Sequence, residues 1–594
     1  MCADLATLLK ARATVALDID PAGRVLVGDD RTGSMQLYEI APDGVWTQLT
    51  HLDDRCTGRY LRGERAVVVE HDLGGNERGQ ISLLRLDEPA AELTPLVHDP
   101  GYIHNILHVL PGRVIYATNR RNGVDFDVVV RDLGNGTDRV LYDNGGWVMQ
   151  VAVAPDEAHV VLARPGGAPH SQQLLLVEVA SGKVDELAPF DEPARAFNPQ
   201  WLPDSSGFVF TTNSGREFTG VAKFELSSRS WEFIVTGKDD IIGWLAPDGS
   251  RLLYSARHDG ADGLWVEPNG AADLPSRPSP VPLPEGSLAT WIFGPVWSPD
   301  GAYLALTVNA PTEPGDVYVW DGDTVRRITD SSAELDKSGL RTPESHQIPT
   351  PDGEQVPALL YRLPAGDGSV VVLIHGGPES ESVRSWNPVV QALLSAGHAV
   401  VLPNVRGSTG FGKRWTSLDD VRLRLDSVAD LAAVHAWLPT VGLDADRAAL
   451  YGGSYGGYMV LAGLTMQPQL WAAGVDIVGI SSLVTFLENT SRYRRAARER
   501  EYGTLEHDRE FLVQASPLTH IAAVRAPLLI VHGANDPRVP LSEAEQLAAA
   551  VRSAGVECDM FVYDDEGHGL SKLRNRLDAY PRVVEFLNRH LAAG

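Results

Sequence analysis

"AALYGGSYGGYMV", residues 448–460, sets one serine, Ser454, among four glycines: Gly452, Gly453, Gly456 and Gly457. The stretch opens on a short apolar run and closes on another, so a strand, a sharp turn and a helix are expected in that order. Glycines on both sides of a turning serine let the backbone fold back closely and leave the hydroxyl standing out at the sheet edge. Gly452-Gly453-Ser454-Tyr455-Gly456 fits the G-x-S-x-G pattern of such a turn, and Gly457 gives the helix room to pack. A helix-capping turn would satisfy the same pattern; the strand before it and the helix after it give it weight.

A serine hydroxyl is a poor nucleophile until a positioned base takes its proton and an acid orients that base. Both residue types follow downstream. Asp536 lies in "VHGANDPRVP", 82 residues after Ser454, and His568 lies in "DDEGHG", 32 residues further on. Serine, acid, histidine is the chain order of the α/β-hydrolases. Asp564, Asp565 and Glu566 are alternative acids, but they share the histidine's own loop and are expected to be solvated. An oxyanion cradle is expected from the Tyr455 backbone N–H and from a backbone N–H in "IHGGPES", that of Gly377. His375, His398, His435 and His532 are read as structural.

The surroundings of these motifs agree with them. From Ser369 onward, apolar strands such as "SVVVLIHGG", "HAVVLPNVRG", "AGVDIVGI" and "APLLIVHGAND" alternate with amphipathic stretches such as "SVADLAAVHAWL" and "EAEQLAAAVRSA". That alternation predicts a parallel sheet flanked by helices, with chemistry at the carboxyl ends of the strands.

Upstream the pattern is different. "IDPAGRVLVG", "VLPGRVIYA", "VAPDEAHVVLA", "WLPDSSGFVFT", "LAPDGSRLLYS" and "WSPDGAYLALT" repeat a turn followed by an apolar strand, and "YLRGERAVVVE" fills the gap after the first. The spacing of roughly 42 to 52 residues is that of a four-stranded propeller blade. A multidomain chain is therefore expected: residues 1–13 as an N-terminal segment, 14–332 as a seven-bladed β-propeller with a β-sandwich as its alternative, and 333–594 as an α/β-hydrolase catalytic domain. The proline-rich stretch "LPSRPSPVPLPEG", 274–286, reads as a stiff loop between the last two blades.

Composition narrows the partners. The 594 residues carry 51 basic and 78 acidic side chains, a formal charge of −27, which disfavours nucleic acid and anionic membrane. No apolar run reaches the roughly 20 residues a membrane helix needs. The first residues lack a secretory leader, so a cytoplasmic location is expected. Three cysteines, Cys2, Cys56 and Cys558, form no disulfide or zinc spacing, so neither metal nor cofactor is expected. The sequence leaves oligomeric state open, a homo-oligomer included.

A seven-bladed propeller followed by "HGGP", "NVRGSTGFG", "GGSYGGYM", "HGANDPRV" and "EGHG" resembles the prolyl oligopeptidase family of serine peptidases over essentially the whole chain, and within it the acylaminoacyl-peptidase branch. The resemblance implies a propeller that restricts access to short or unstructured substrates. It also implies a short N-terminal helix, here "DLATLLKAR", packed on the hydrolase domain. "HGGP" implies two backbone donors where the prolyl oligopeptidases proper use a tyrosine hydroxyl. Arg538, two residues past the acid, stands where that branch holds the substrate's acyl or backbone carbonyl; a structural salt bridge is its alternative. The stretch "ISSLVTFLENTSRYRRAARER", 480–500, would supply the pocket wall, with Phe486 and Val478 as candidates against an ordinary core role. The double-glutamate run of the dipeptidyl-peptidase branch is absent.

These readings point to a serine exopeptidase releasing an N-terminal residue, N-acylated or not, from short peptides or amides. The first rival is an aminopeptidase-like hydrolase of free-amine aminoacyl compounds, including aminoacyl-nucleoside antibiotics of the puromycin type, with Glu488 or a propeller carboxylate on the ammonium group. An esterase, or a propeller-based interaction protein with a vestigial hydrolase, are the others.

Overall fold

The computed structural model describes residues 4–88, 92–187, 192–268, 278–289, 294–364 and 366–593. Seven antiparallel sheets follow one another along the first part of the chain, spanning 14–48, 56–97, 104–142, 150–187, 196–235, 241–280 and 287–327. Each is one propeller blade. The proline-bearing turns join the first strand of a blade to its second, as at Asp20–Arg24, where Gly23 takes φ +76°.

Among the described residues no strand is exchanged between the first and last blades, and the ring closes through side chains. Ala16, Ile19, Val25 and Val27 of blade one pack with Ala305, Val317 and Val319 of blade seven. Ala16 N–H of blade one donates to Thr307 Oγ of blade seven across the seam at 2.8 Å. The proline-rich stretch departs from its expectation in part. Ser279–Pro280 pairs with Val266 and Trp265 as the outer strand of blade six, an edge position where proline's missing N–H costs no ladder bond. Residues 274–277 of that stretch lie outside the described residues.

The second unit is an eight-stranded sheet built from β1 (Glu344–Pro349), β2 (Gln355–Tyr361), β3 (Val370–Ile374), β4 (Ala399–Pro403), β5 (Ala448–Gly453), β6 (Ala473–Ile477), β7 (Leu528–Gly533) and β8 (Cys558–Tyr563). Its order is β1-β2-β4-β3-β5-β6-β7-β8, with β3 to β8 parallel and the β1–β2 hairpin antiparallel at one edge. That hairpin precedes the strands expected from Ser369 onward, and its polar, partly exposed β1 gave no buried-strand signal.

Two cores cover the sheet's two faces, one around Val372, Val401, Leu450 and Tyr458, the other around Val371, Val400, Ala449 and Phe586. The N-terminal helix α1 (Leu5–Lys10) is capped by Asp4, and its Leu8 packs with Leu340 and Ala392 of the hydrolase unit. Among the described residues no helix is long and apolar enough to cross a membrane.

The two units meet on one face of the ring, made of the loops joining the second and third strands of every blade. Gly33 O accepts from Leu573 N–H, Gly74 O from Asn535, and Phe126 packs edge-on to Tyr493. His170 bonds Asp420, Glu217 O accepts from Lys413 N–H, Gly260 O from Arg384 N–H, and Pro311 O from Gln391.

Candidate active site

β5 ends at Gly453 and α2 (Tyr455–Met466) begins one residue later, so Ser454 carries the whole reversal at φ 58° and ψ −116°. A serine held with positive φ is strained, and the surroundings hold it there: its N–H donates to Ile477 O at 2.8 Å. α2 is buried on all sides, which fixes the turn between two core elements.

The glycines divide into those the turn requires and one it does not. A Cβ at Gly452 would collide with the Gly456 carbonyl, and one at Gly456 with the Ile374 carbonyl. At Gly457 it would meet the Asp476 carboxylate and come within 2.6 Å of Gly479 Cα. Gly453 is the correction. An added Cβ there sits 3.6 Å from Ile477 O, an ordinary contact, and its φ is not positive.

The three residues expected to act together are brought together. His568 Nε2 lies 2.9 Å from Ser454 Oγ, and His568 Nδ1 lies 2.6 Å from Asp536 Oδ2. Asp536 also accepts from the N–H groups of Arg538 and Val539 at 2.8 and 3.0 Å, which aims its other oxygen at the histidine. Asp536 follows β7 and His568 follows β8, so both descend from carboxyl ends of neighbouring strands.

Tyr455 N–H, at the first position of α2, and Gly377 N–H make no hydrogen bond to protein among the described residues. The loop carrying Gly377 lies against the serine: a Cβ at Gly376 would stand 3.5 Å from Ser454 Cβ. His375 holds that loop, its Nε2 2.7 Å from Ser408 Oγ, and burial keeps the ring neutral by lowering its pKa. His532 is wholly buried and bonds Val539 O at 2.9 Å, tying the acid loop to β7. His398 joins Ser369 to Asn588, and His435 bonds Ala445 O.

Other expectations fare differently. Phe486 is buried edge-on to Tyr502 in one core of the hydrolase sheet, and Val478 is buried in the opposite core. Glu488 is exposed and pairs with Arg509. Glu566, expected to be solvated, is 1% exposed and accepts from Ser571 N–H, Lys572 N–H and Asn575, anchoring the start of the last helix, Leu573–His590. Arg538 Nε donates to Glu77 of the propeller at 2.7 Å.

Glu77 was not singled out by sequence, and only the folded ring reveals it. Its loop, 72–79, also packs Gly75 onto Gly567, beside His568. A left-handed φ of 55° at a non-glycine residue marks the position only once coordinates exist.

A half-buried serine on a strand-to-helix turn, with a histidine and a buried acid in line and a propeller closing over them, defines a hydrolase of the lidded serine type. Residues 383–594 match the model of the prolyl oligopeptidase family. Dipeptidyl aminopeptidase BIII of Pseudoxanthomonas mexicana is 26% identical over 547 residues, 86% of this chain and 77% of that protein. The acylamino-acid-releasing enzyme of Mus musculus is 25% identical over 501 residues, 80% of this chain and 63% of that enzyme. A solved puromycin-hydrolyzing peptidase of Mycobacterium tuberculosis superimposes with a TM-score of 0.88 at 19% identity, covering 100% of this chain and 96% of that one, a likeness of fold. The catalytic region, residues 383–594, is thus similar to the prolyl oligopeptidase family, and by class the chain is a serine peptidase.

Proposed function

We propose that the chain is a serine exopeptidase that releases an N-terminal residue from short peptides or aminoacyl amides. The observation that carries this reading is the alignment of Ser454, His568 and Asp536 at 2.9 and 2.6 Å beneath a ring whose loops touch the histidine and acid loops. Ser454 Oγ attacks the scissile carbonyl while His568 Nε2 takes its proton, and the ion pair with Asp536 stabilises the imidazolium. The oxyanion is received by the N–H groups of Tyr455 and Gly377, each worth about 3 to 4 kcal/mol in the transition state. His568 then protonates the leaving amine, and water resolves the acyl-enzyme by the reverse proton path.

Ser454→Ala is expected to lower turnover by about 10⁶, with folding unchanged, as measured by single-turnover hydrolysis of an aminoacyl anilide. Retained turnover would remove the serine from the mechanism.

A second reading is favoured by the Glu77–Arg538 pair. Arg538 spends only Nε on Glu77, so its remaining N–H groups can hold an acyl carbonyl, while Glu77 keeps a carboxylate oxygen that could accept a free ammonium group. The relatives' names span both chemistries. Hydrolysis of an N-acetyl aminoacyl anilide against its free-amine counterpart separates them. With a free amine as the natural group, Glu77→Gln raises KM for the free-amine substrate alone; with an acylated one, it leaves the acetyl substrate's preference intact.

A further inference from the structure

His170 lies in the 166–171 loop of the fourth blade at φ 54°, a left-handed conformation that a non-glycine residue holds only where its surroundings impose it. Its ring crosses to the hydrolase unit. Nε2 is 2.6 Å from Asp420 Oδ1 and 3.8 Å from Glu501 Oε2, and Nδ1 is 3.6 Å from Glu379 Oε1. One donor atom from each of His170, Asp419, Asp420 and Glu501 lies within 4.8 Å of the others.

The acids in this set are under-compensated. Asp419 and Glu501 are 0% and 1% exposed, and each gives one oxygen to Arg424, which is itself buried between the rings of Tyr455 and Tyr502. Their other oxygens, Asp419 Oδ1 and Glu501 Oε2, have no hydrogen-bond donor among the described residues. The Glu379 carboxylate comes within hydrogen-bond range of Glu501, acid against acid, with Arg498 on its other side at 3.2 Å. Four carboxylates thus face two guanidinium groups and the His170 imidazole.

We propose that His170, Asp419, Asp420 and Glu501 form a divalent-cation site that staples the propeller to the hydrolase unit. One imidazole nitrogen and carboxylate oxygens suit a borderline ion of the zinc or manganese kind, whereas calcium asks for six to eight oxygens. Tetrahedral ligation at about 2.0 to 2.2 Å sets donor atoms about 3.3 Å apart, so the observed spacings need side-chain shifts of about 1 to 1.5 Å. Gly407 makes the room: a Cβ there would fall on the Asp419 carboxylate. The site draws on a propeller loop, the 419–420 segment and the 492–502 helix, so no short motif announces it.

The test is independent of the serine chemistry. Full-length chain stripped with a chelator is titrated with zinc or manganese chloride, following heat and melting temperature. One ion per chain is expected, with a melting temperature that rises to saturation at one equivalent. His170→Gln and Asp420→Asn, both at partly exposed positions, are expected to bind at least about ten-fold more weakly while melting near the metal-free wild type. X-ray absorption of the zinc-loaded wild type reads the ligands without any variant, one nitrogen and otherwise oxygen. Absence of stoichiometric binding, variants that bind as tightly as wild type, or a sulfur-containing or imidazole-free shell would each overturn the site.

Discussion

At Ser454 the backbone is strained and its neighbours are bare, yet the bareness is not uniform in cause. Gly452 and Gly456 are held against backbone carbonyls that cannot move without breaking the sheet, whereas Gly453 faces ordinary van der Waals space. Gly453→Ala is therefore expected to fold and to keep turnover within a few-fold of wild type. Gly456→Ala is expected to melt markedly lower, because overpacking against fixed backbone costs about 1 to 3 kcal/mol. Paired melting curves and anilide turnover check both, and a Gly453→Ala as damaged as Gly456→Ala would show that the turn has no slack. The sequence made the nucleophile, acid and base legible because their spacing follows strand ends. It could not rank the glycines, since a close approach depends on which strand lies alongside, and Ile374 comes from 80 residues upstream in a different motif.

At the scale of elements, the join between β6 and α2 rests on a buried acid. Asp476 sits in β6 opposite Gly452, and a Cβ at Gly457 or Gly479 would fall on its carboxylate. Burial pushes its carboxyl up to about 7, partly offset by the Gly479 amide. The folded state then holds a proton that the unfolded chain gives up near pH 4, so this group's contribution falls as pH rises from about 4 to about 7 and is level above, by at most about 1.4 kcal/mol per pH unit. Asp476→Asn removes that slope without changing shape. Its melting temperature is expected to equal or exceed wild type at pH 8 and to gain less than wild type between pH 8 and pH 5. An unchanged gain would place the proton elsewhere. Element types here were readable from apolar runs, but a carboxylate inside a strand reads the same whether buried or solvated, as Glu566 also shows.

Over the whole molecule, the repeats that reveal the propeller and the loops that make it a lid lie on opposite faces. Proline-bearing turns join first to second strands; the contacts with the hydrolase unit come from second-to-third loops and from blade-linking segments, as in Lys572–Asp54 and Lys413–Glu192, whose sequences differ because each meets a different surface. That is why the ring was legible and its grip on the catalytic loops was not. The tightest meeting is glycine on glycine. Gly75, at φ 73°, would place a Cβ 2.5 Å from Gly567 N, one residue before His568. Gly75→Val must push the blade-two loop off the histidine loop, and a displacement of about 1 Å at a reacting group costs about 10² in rate. The expected result is a kcat lowered by that order, on top of a loss in melting temperature that Gly74→Val shares, because valine is strained at the positive φ of both positions. Gly74→Val is the comparison: its added carbon meets only the flexible Asn535 amide, which can swing aside, so its loss is expected to be much smaller. Equal kcat in Gly75→Val and wild type would mean that the ring restricts entry without positioning His568, and the contribution of closure would then be read in KM for long peptides alone.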